Sequence, residues 1–593
     1  MSGSGVFVVT IGGSPLPDDV VGLLAQAYVD DSLHRPAAFV LRFRDPARMV
    51  LDKSGAAIAA KVTISVVAGG AAAPEPLVTG EITALEAEYS AEGSFTVIRG
   101  FDASHRLHRG RSTVAYAQST ASDVARKVAG RAGLTVGTID ATTTVFDHIC
   151  QGGETDLEFL GGLAREVGYE IAVVDGKFSF RRPLPAADAP SPGAEDPLVL
   201  VLGRDLLRVQ CAVTSAEQVK EVQVRGWDVA QKKALVATAP GTTRSAVLSG
   251  ADPAGLARKF GNPVYVSTDV PYGTQAEVDT AAAAVAEQIG GAFAQFEGVA
   301  IGNAKVRAGA AVALAELGAP FDGKYLVTTS RHRYDTTTGY TTAFTVTGRQ
   351  DRSLLGLAGG GRPGRASAGV VVAVVSDVKD PLDSGRVKVT FPWLSEDYVS
   401  DWARTVQSGA GKDRGATVVP EVGDEVLVAF DRGDMRRPYV IGGLYNGVDK
   451  PKAGPVPLVD SGSGAVNRRS MVSRRGHRID LLDQDGKKEG IVLASGDGKV
   501  RIELDSVNTK ITVHSDGTVT VEGPKGVVVD AGTGTLELKG KSIELSASAG
   551  VKVNGGTGAV SVATSGSLEL KGTTAKLEAS AMAELKGALV KIN

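Results

Sequence analysis

At 593 residues the chain is too long for one hydrophobic core and should divide into several domains. Its 64 basic and 67 acidic residues give a formal charge of −3, which excludes the electrostatic footprint of a nucleic-acid or anionic-membrane binder. With 43% apolar but only 5% aromatic residues, 74 glycines and two isolated cysteines, it reads as β-rich and excludes both a disulfide framework and a cysteine metal site.

Residues 1–198 read as a first β unit with a helical insertion. Val6/Val8/Thr10, Phe39/Leu41/Phe43, Val62/Ile64/Val66 and Phe95/Val97 alternate as strands do. Thr120 with Asp123, and Thr155 with Glu158, match capping boxes that open two helices. Val124, Val128 and Ala132 share a face of the first. Leu157, Leu160, Ala164 and Val167 share a face of the second, and Gly168 stands where a C-cap glycine would. A strand pair, Ile171/Val173 and Phe178/Phe180, turns at Asp175-Gly176. A Pro-rich connector, Pro183–Pro197, closes the unit.

Residues 199–357 read as a second β unit, with strands at Val219–Arg225, Tyr325–Thr329 and Thr341–Thr347 and one Ala-rich helix near Gln275–Gly290. Two β units with a helical insertion suggest a duplicated barrel. Residues 358–369 form a Gly-rich linker by composition. Residues 370–447 have the length and the Gly/Pro/Asp turns of one small five-stranded barrel. A polar linker, 448–470, follows.

No Phe, Tyr or Trp occurs after Tyr445. From 471 to 593 the chain instead repeats short apolar doublets: Val519/Val521, Val527/Val529, Leu536/Leu538, Ile543/Leu545, Val551/Val553, Val560/Val562 and Leu568/Leu570. Each is spaced i, i+2 as in a strand, and the period is about eight residues. A three-residue strand buries one narrow stripe and cannot enclose it alone. Three identical chains can, each forming one face of a prism with the doublets on the axis and pairs such as Glu537/Lys539, Glu569/Lys571 and Glu584/Lys586 outside. So narrow an axis explains the missing aromatics. About twelve stacked strands at roughly 4.7 Å give a shaft of order 55 Å. A single-chain solenoid and a disordered tail are the competing readings.

The stretches GRVKVTFPW (Gly385–Trp393), SDWARTVQ (Ser400–Gln407), PEVGDEVLVAFDRGD (Pro420–Asp434) and RPYVIGGLYNG (Arg437–Gly447) closely resemble the OB-type baseplate domain of VgrG proteins and of contractile phage-tail spikes. SRRGHRIDLLDQDGKKEGIVL (Ser473–Leu493) resembles their entry into a β-helix. TVIRGFDASHRLHRGR (Thr96–Arg111), DLEFLGGLAREVGYEIAVVDGKFSF (Asp156–Phe180) and VQVRGWD (Val222–Asp228) are similar to the hub of VgrG and of phage late-control D proteins. The resemblance implies a mainly β chain: a duplicated β-barrel hub with a helical insertion, an OB-fold collar and a C-terminal triple-stranded, homotrimeric β-helix spike. It implies a spike at the tip of the inner tube of a contractile injection system, puncturing a target envelope when the sheath contracts.

The partners so implied are a homotrimer, the hexameric inner tube, other baseplate proteins and a PAAR-type tip protein. The target membrane is met mechanically, and nucleic acid is not a partner. With no basic stretch in Met1–Thr10 and only a short apolar one, Val6–Ile11, no signal peptide is read. Assembly in the cytoplasm and incorporation into a phage-tail-like particle are expected. About 25 residues between barrel and repeats leave no room for an inserted lysozyme domain, and the sequence stops soon after Val590-Lys591-Ile592. No built-in enzyme is therefore expected. Alternatives are a type VI VgrG carrying effectors non-covalently or, in other classes, a spike-borne cell-wall hydrolase or a glycan-binding adhesin.

The search for chemistry is otherwise negative: no catalytic residue, cofactor or metal ligand is assigned. Gly409–Lys412 fails as a phosphate loop, since Val406 and Asp413 stand where Gly and Ser/Thr belong, and Asp483–Gly486 fails as a calcium loop. His105 and His108, among Arg99, Arg106, Arg109 and Arg111, read as a solvated or inter-subunit face. Trp393 and Trp402 read as core or interface packing, and Cys150 and Cys211 as small buried hydrophobes.

Overall fold

The computed structural model describes residues 5–68, 73–174, 176–349, 369–395 and 397–592. Two compact units result, 1–451 and 452–593. The Gly-rich stretch read as a linker over 358–369 lies, but for Gly369, outside the described residues, as does Asp175 of the predicted turn.

The first unit is organised by one antiparallel sheet of eleven strands. From one edge to the other these are Leu206–Val213, Ala294–Ile301, Gly339–Val346, Thr329–Asp335, Leu24–Ser32, Ala38–Arg44, Gly93–Asp102, Glu75–Ser90, Lys61–Ala68, Gly5–Ile11 and Ser14–Pro15. The two β units read from the sequence therefore share a sheet. Their junction pairs Leu24–Ser32 with Thr329–Asp335, in register from Ser32 opposite Thr329 to Gln26 opposite Asp335. Each unit keeps its own core. Phe39, Leu41 and Phe43, every second residue of one strand, are wholly buried in the first with Val62 and Ile64. Phe296, Val312, Leu314, Tyr325 and Phe344 fill the second, under a smaller sheet of Val199–Val201, Ala311–Ala315, Gly323–Leu326 and Ala246–Leu248. Gly100 is needed where it stands: a Cβ there would lie 2.1 Å from the Glu81 carbonyl oxygen and 2.3 Å from the Phe39 ring.

Three longer helices pack beside these cores. Helix α1, Ala121–Arg131, opens on the Thr120–Asp123 box and α2, Asp156–Val167, on the Thr155–Glu158 box. In the latter the Thr155 hydroxyl accepts from the Glu158 N–H at 3.2 Å, and the Glu158 carboxylate accepts from the Thr155 N–H at 2.9 Å. Gly168 ends α2 at φ +73°, left-handed as expected of a C-cap glycine. Val124, Val128, Phe159, Leu160 and Leu163 bury against Phe146, Ile149, Phe178 and Phe180. Helix α3, Gln275–Gly291, has a third capping box, Thr274–Glu277, which the sequence reading passed over. Thr155→Ala leaves one orphan N–H at the start of α2, so thermal unfolding of that variant should show a loss of about 1 kcal/mol.

The Pro-rich connector is packed rather than free. Ala186 is buried, its N–H donates to the Arg244 carbonyl at 2.7 Å, and the Lys324 ammonium donates to the Ala187 and Ala189 carbonyls at 2.8 and 2.5 Å. The collar is a five-stranded sheet in the order Lys388–Thr390, Val370–Asp377, Glu425–Phe430, Pro438–Gly443, Arg404–Thr405. Its alternating Val375, Val387, Val389, Val426 and Val428 close on Phe391 and Tyr398.

The second unit begins with an antiparallel meander: Arg468–Val472, Arg478–Gln484, Lys488–Ala494, Val500–Asp505 and Lys510–Ser515. Short repeats were expected from residue 471. Over 471–515 the strands are instead five to seven residues long and pair within the chain. Glycine turns allow it: Gly486 and Gly498 sit at φ +60° and +74°, where a hairpin needs the left-handed backbone. Residues 452–467, read as linker, lie in this unit, and Val456 buries with Leu482 and Val492.

Candidate functional site

The meander has two unlike faces. One holds Asp480, Leu482 and Val492, all buried. Asp480 accepts from the Ser470 hydroxyl at 2.5 Å and lies 2.9 Å from Arg478 Nε. The other face is a ladder of aliphatic side chains in register. Met471 stands opposite Ile479, which faces Leu493, which faces Ile502, which faces Val513. Leu481 faces Ile491, which faces Leu504, which faces Ile511. These nine residues are 38% to 71% exposed. Side chains directly opposite across strands form one continuous surface, and single soluble chains rarely leave so large an apolar patch in water. The sequence reading missed this seam, although the i, i+2 alternation of Ile479/Leu481 and Ile491/Leu493 signals it.

From 516 onward the doublets follow in the sequence without a sheet. Their side chains, from Val519 to Leu570, are 53% to 86% exposed, and no strand is assigned among the described residues 516–592. The backbone hydrogen bonds found there close turns, as from Gly526 N to Gly523 O at 2.9 Å and from Gly558 N to Gly555 O at 2.9 Å. A single-chain solenoid would bond coil to coil along its length; this stretch does not. The chain is nonetheless extended. Glu537 and Lys539 touch at 2.7 Å, Glu569 and Lys571 at 2.5 Å, and Glu584 and Lys586 at 2.6 Å. Contacts at i, i+2 put both charges on one side and leave Leu536/Leu538 on the other, as strand alternation demands.

The other residues marked by the sequence are structural. His105 is not solvated: it is buried, with Nε2 3.0 Å from Glu81, whose carboxylate also binds Arg106. That carboxyl titrates below its usual range, because the hydrogen bonds from His105 and Arg106 outweigh burial, which is the largest single influence and acts the other way. His108 is exposed. Trp393 is exposed rather than in the core, its indole N–H donating to the Val372 carbonyl at 2.8 Å. Trp402 is half-buried under the cations of Arg386 and Lys388. Cys150 and Cys211 are half-buried, and burial pushes the Cys150 thiol up to about 12, so it is not a nucleophile at neutral pH. Ala410–Gly411 pairs with Arg414–Gly415 in an exposed hairpin, and Asp485-Gly486 turns the meander. No group of three or more His, Cys, Asp or Glu gathers as a metal site among the described residues.

Against this geometry the comparisons with known proteins are specific. Residues 371–445 match the family of the type VI secretion system/phage-baseplate injector OB domain. A second family, the Alg8 N-terminal domain, matches residues 47–336, which include neither the collar nor the seam. The type VI secretion system spike protein VgrG3 of Vibrio cholerae is 33% identical over 135 residues, 22% of this chain and 13% of its own length. The spike protein VgrG1c of Pseudomonas aeruginosa is 30% identical over 126 residues, 20% of this chain and 17% of its own. This chain thus spans less than a fifth of the length of either relative. Among solved structures, the E. coli c3393 protein, a type VI secretion component, aligns with 74% of this chain and 99% of its own at TM-score 0.46 and 16% identity. The family match and the curated relatives bear out the resemblance to VgrG-type spike proteins and the OB collar.

Proposed function

We propose that this chain is the hub and spike of a contractile injection machine, and that it works as a homotrimer in which three copies of the apolar seam close on one axis. The in-register apolar face of the meander, running on into extended doublets without strand partners, carries this reading. A sheet face and seven doublets left in water on one chain become a dry core when three chains braid, and the backbone groups of 516–592 find partners in the other copies. Val519, Val521, Val527, Val529, Leu536, Leu538, Ile543, Leu545, Val551, Val553, Val560, Val562, Leu568 and Leu570 then line the axis.

The role is mechanical rather than enzymatic. Sheath contraction drives the inner tube, the hub takes the load at its tube-facing side, and the collar passes it to a stiff prism that concentrates it on a small tip area. The hexameric tube, neighbouring baseplate proteins and a PAAR-type tip protein are the partners this assignment calls for. Sedimentation or light scattering should give three times the 61.0 kDa chain mass. A monomer with an ordered C-terminal stretch would sink the reading.

A further inference from the structure

One short turn of the collar carries a cluster of charged contacts to the hub. In Asp431–Arg437 three arginines reach three different places on the hub. The Arg432 guanidinium donates to the Thr268 and Val270 carbonyls at 2.6 and 3.1 Å. Arg436 is held by two carboxylates, Asp434 of its own turn at 2.8 Å and Glu166 of α2 at 3.2 Å, and all three side chains are almost wholly buried. Arg437 lies 3.6 Å from Glu277 of α3 and donates to the Pro271 carbonyl at 3.4 Å. One turn thus ties the collar to the helical elements of both β units. Met435 between them lies close over Gly152, where a Cβ would come within 2.8 Å of its sulfur.

His148 sits beside this turn. It is buried on the hub strand Val145–Glu154, stacked edge-on against Tyr398 of the collar at 5.9 Å. Its Nε2 lies 3.3 Å from the Val399 carbonyl and donates to it, so Nδ1 is bare in the neutral ring and has no partner among the described residues. The charged groups facing it are Asp147 and Glu277 from the hub, and Lys388, Asp401, Arg436 and Arg437 from the collar. Tyr272 closes the crevice, whose volume of about 10 Å3 leaves hardly room for one water. A proton on Nδ1 would put an unpartnered donor and a second cation next to Arg436.

We propose that the Asp431–Arg437 turn is the fastening between collar and hub, and that His148 makes this fastening open in acid. Burial first, then Arg436 and Lys388, holds the imidazole below its ordinary value against the opposing pull of Asp401 and of the Val399 carbonyl. The folded chain binds this proton less readily than the unfolded chain. The joint is therefore at full strength above the ordinary histidine value of about 6.5 and weakens as the pH falls through it toward the lowered one. An opened joint frees the collar to move on the hub while the chain keeps them connected.

Hydrogen–deuterium exchange of the full-length protein at pH 7.5 and 5.0, corrected for intrinsic rates, tests this. Peptides covering 145–152, 397–402 and 431–437 should exchange at least tenfold faster at pH 5.0, with the core strand Ala38–Arg44 unchanged. His148→Gln keeps an N–H for the Val399 carbonyl but cannot titrate, and should abolish the response. Lys388→Gln removes a facing cation without touching the core and should move the midpoint to higher pH; it keeps the test decisive should His148→Gln fail to fold. No acid response in the wild type, an unchanged response in His148→Gln, or an unmoved midpoint in Lys388→Gln overturns the proposal. Every contact invoked lies within one chain, so failure here leaves the trimeric spike untouched, and a monomeric protein leaves the joint to be read on its own.

Discussion

Leu536→Asp is expected to turn the assembled protein into a monomer. In the proposed trimer the substitution puts three carboxylates around one narrow axis, with no cation to pair them and no water to solvate them. The lost leucine burial is about 2 kcal/mol per chain. Over three chains that weakens association by about 6 kcal/mol, roughly four orders of magnitude in the equilibrium constant before any repulsion is counted. Sedimentation velocity at micromolar concentration reads the result directly. Glu537→Ala, one residue away but on the charged side, should leave the trimer intact, because an exposed ion pair contributes about 0.2–1 kcal/mol at most. If both variants behave alike, the side-to-side alternation on which the prism rests is wrong.

Arg436→Leu is expected to destabilise the first unit by about 3–5 kcal/mol, because it removes the buried guanidinium that both Glu166 and Asp434 bind. The three tryptophans, Trp227, Trp393 and Trp402, all lie in this unit, so denaturant unfolding followed by tryptophan fluorescence reports it without interference from the second unit. Adding Glu166→Gln and Asp434→Asn should recover most of the loss, since the damage comes from uncompensated charge rather than missing volume. A single variant with an unshifted midpoint would show that the turn does not fasten the collar. This effect should appear at pH 7.5, where His148 is neutral, which separates the fastening from its acid sensitivity.

Much of this molecule is written locally. Thr120, Thr155 and Gly168 mark helix ends within four residues of the chain, and each acts as the capping rules require. The i, i+2 spacing of Phe39, Leu41 and Phe43 predicts a strand because neighbouring side chains alone decide which face is apolar. The eight-residue beat and the loss of aromatics after Tyr445 are equally local, as are the collar motifs. The meander was half legible. Its alternation is in the sequence, but whether Ile479 and Leu481 pair within the chain or across chains depends on strand length and turn geometry, and Gly486 and Gly498 settle it in favour of hairpins.

What the sequence by itself determined is therefore the periodicity of each segment, where helices start and stop, and the absence of aromatic side chains after Tyr445. What only the tertiary structure decided is which distant segments meet. Ser32 pairs with Thr329 and merges two expected units into one sheet, Glu81 takes in His105, and Glu166 waits 270 residues upstream for Arg436. Propensity and alternation act over a few residues and leave their mark in the local pattern. Ion pairs and sheet junctions between residues hundreds of positions apart depend on how whole layers pack, and a lone arginine or histidine carries the same letters whether it ends in water or in a buried joint.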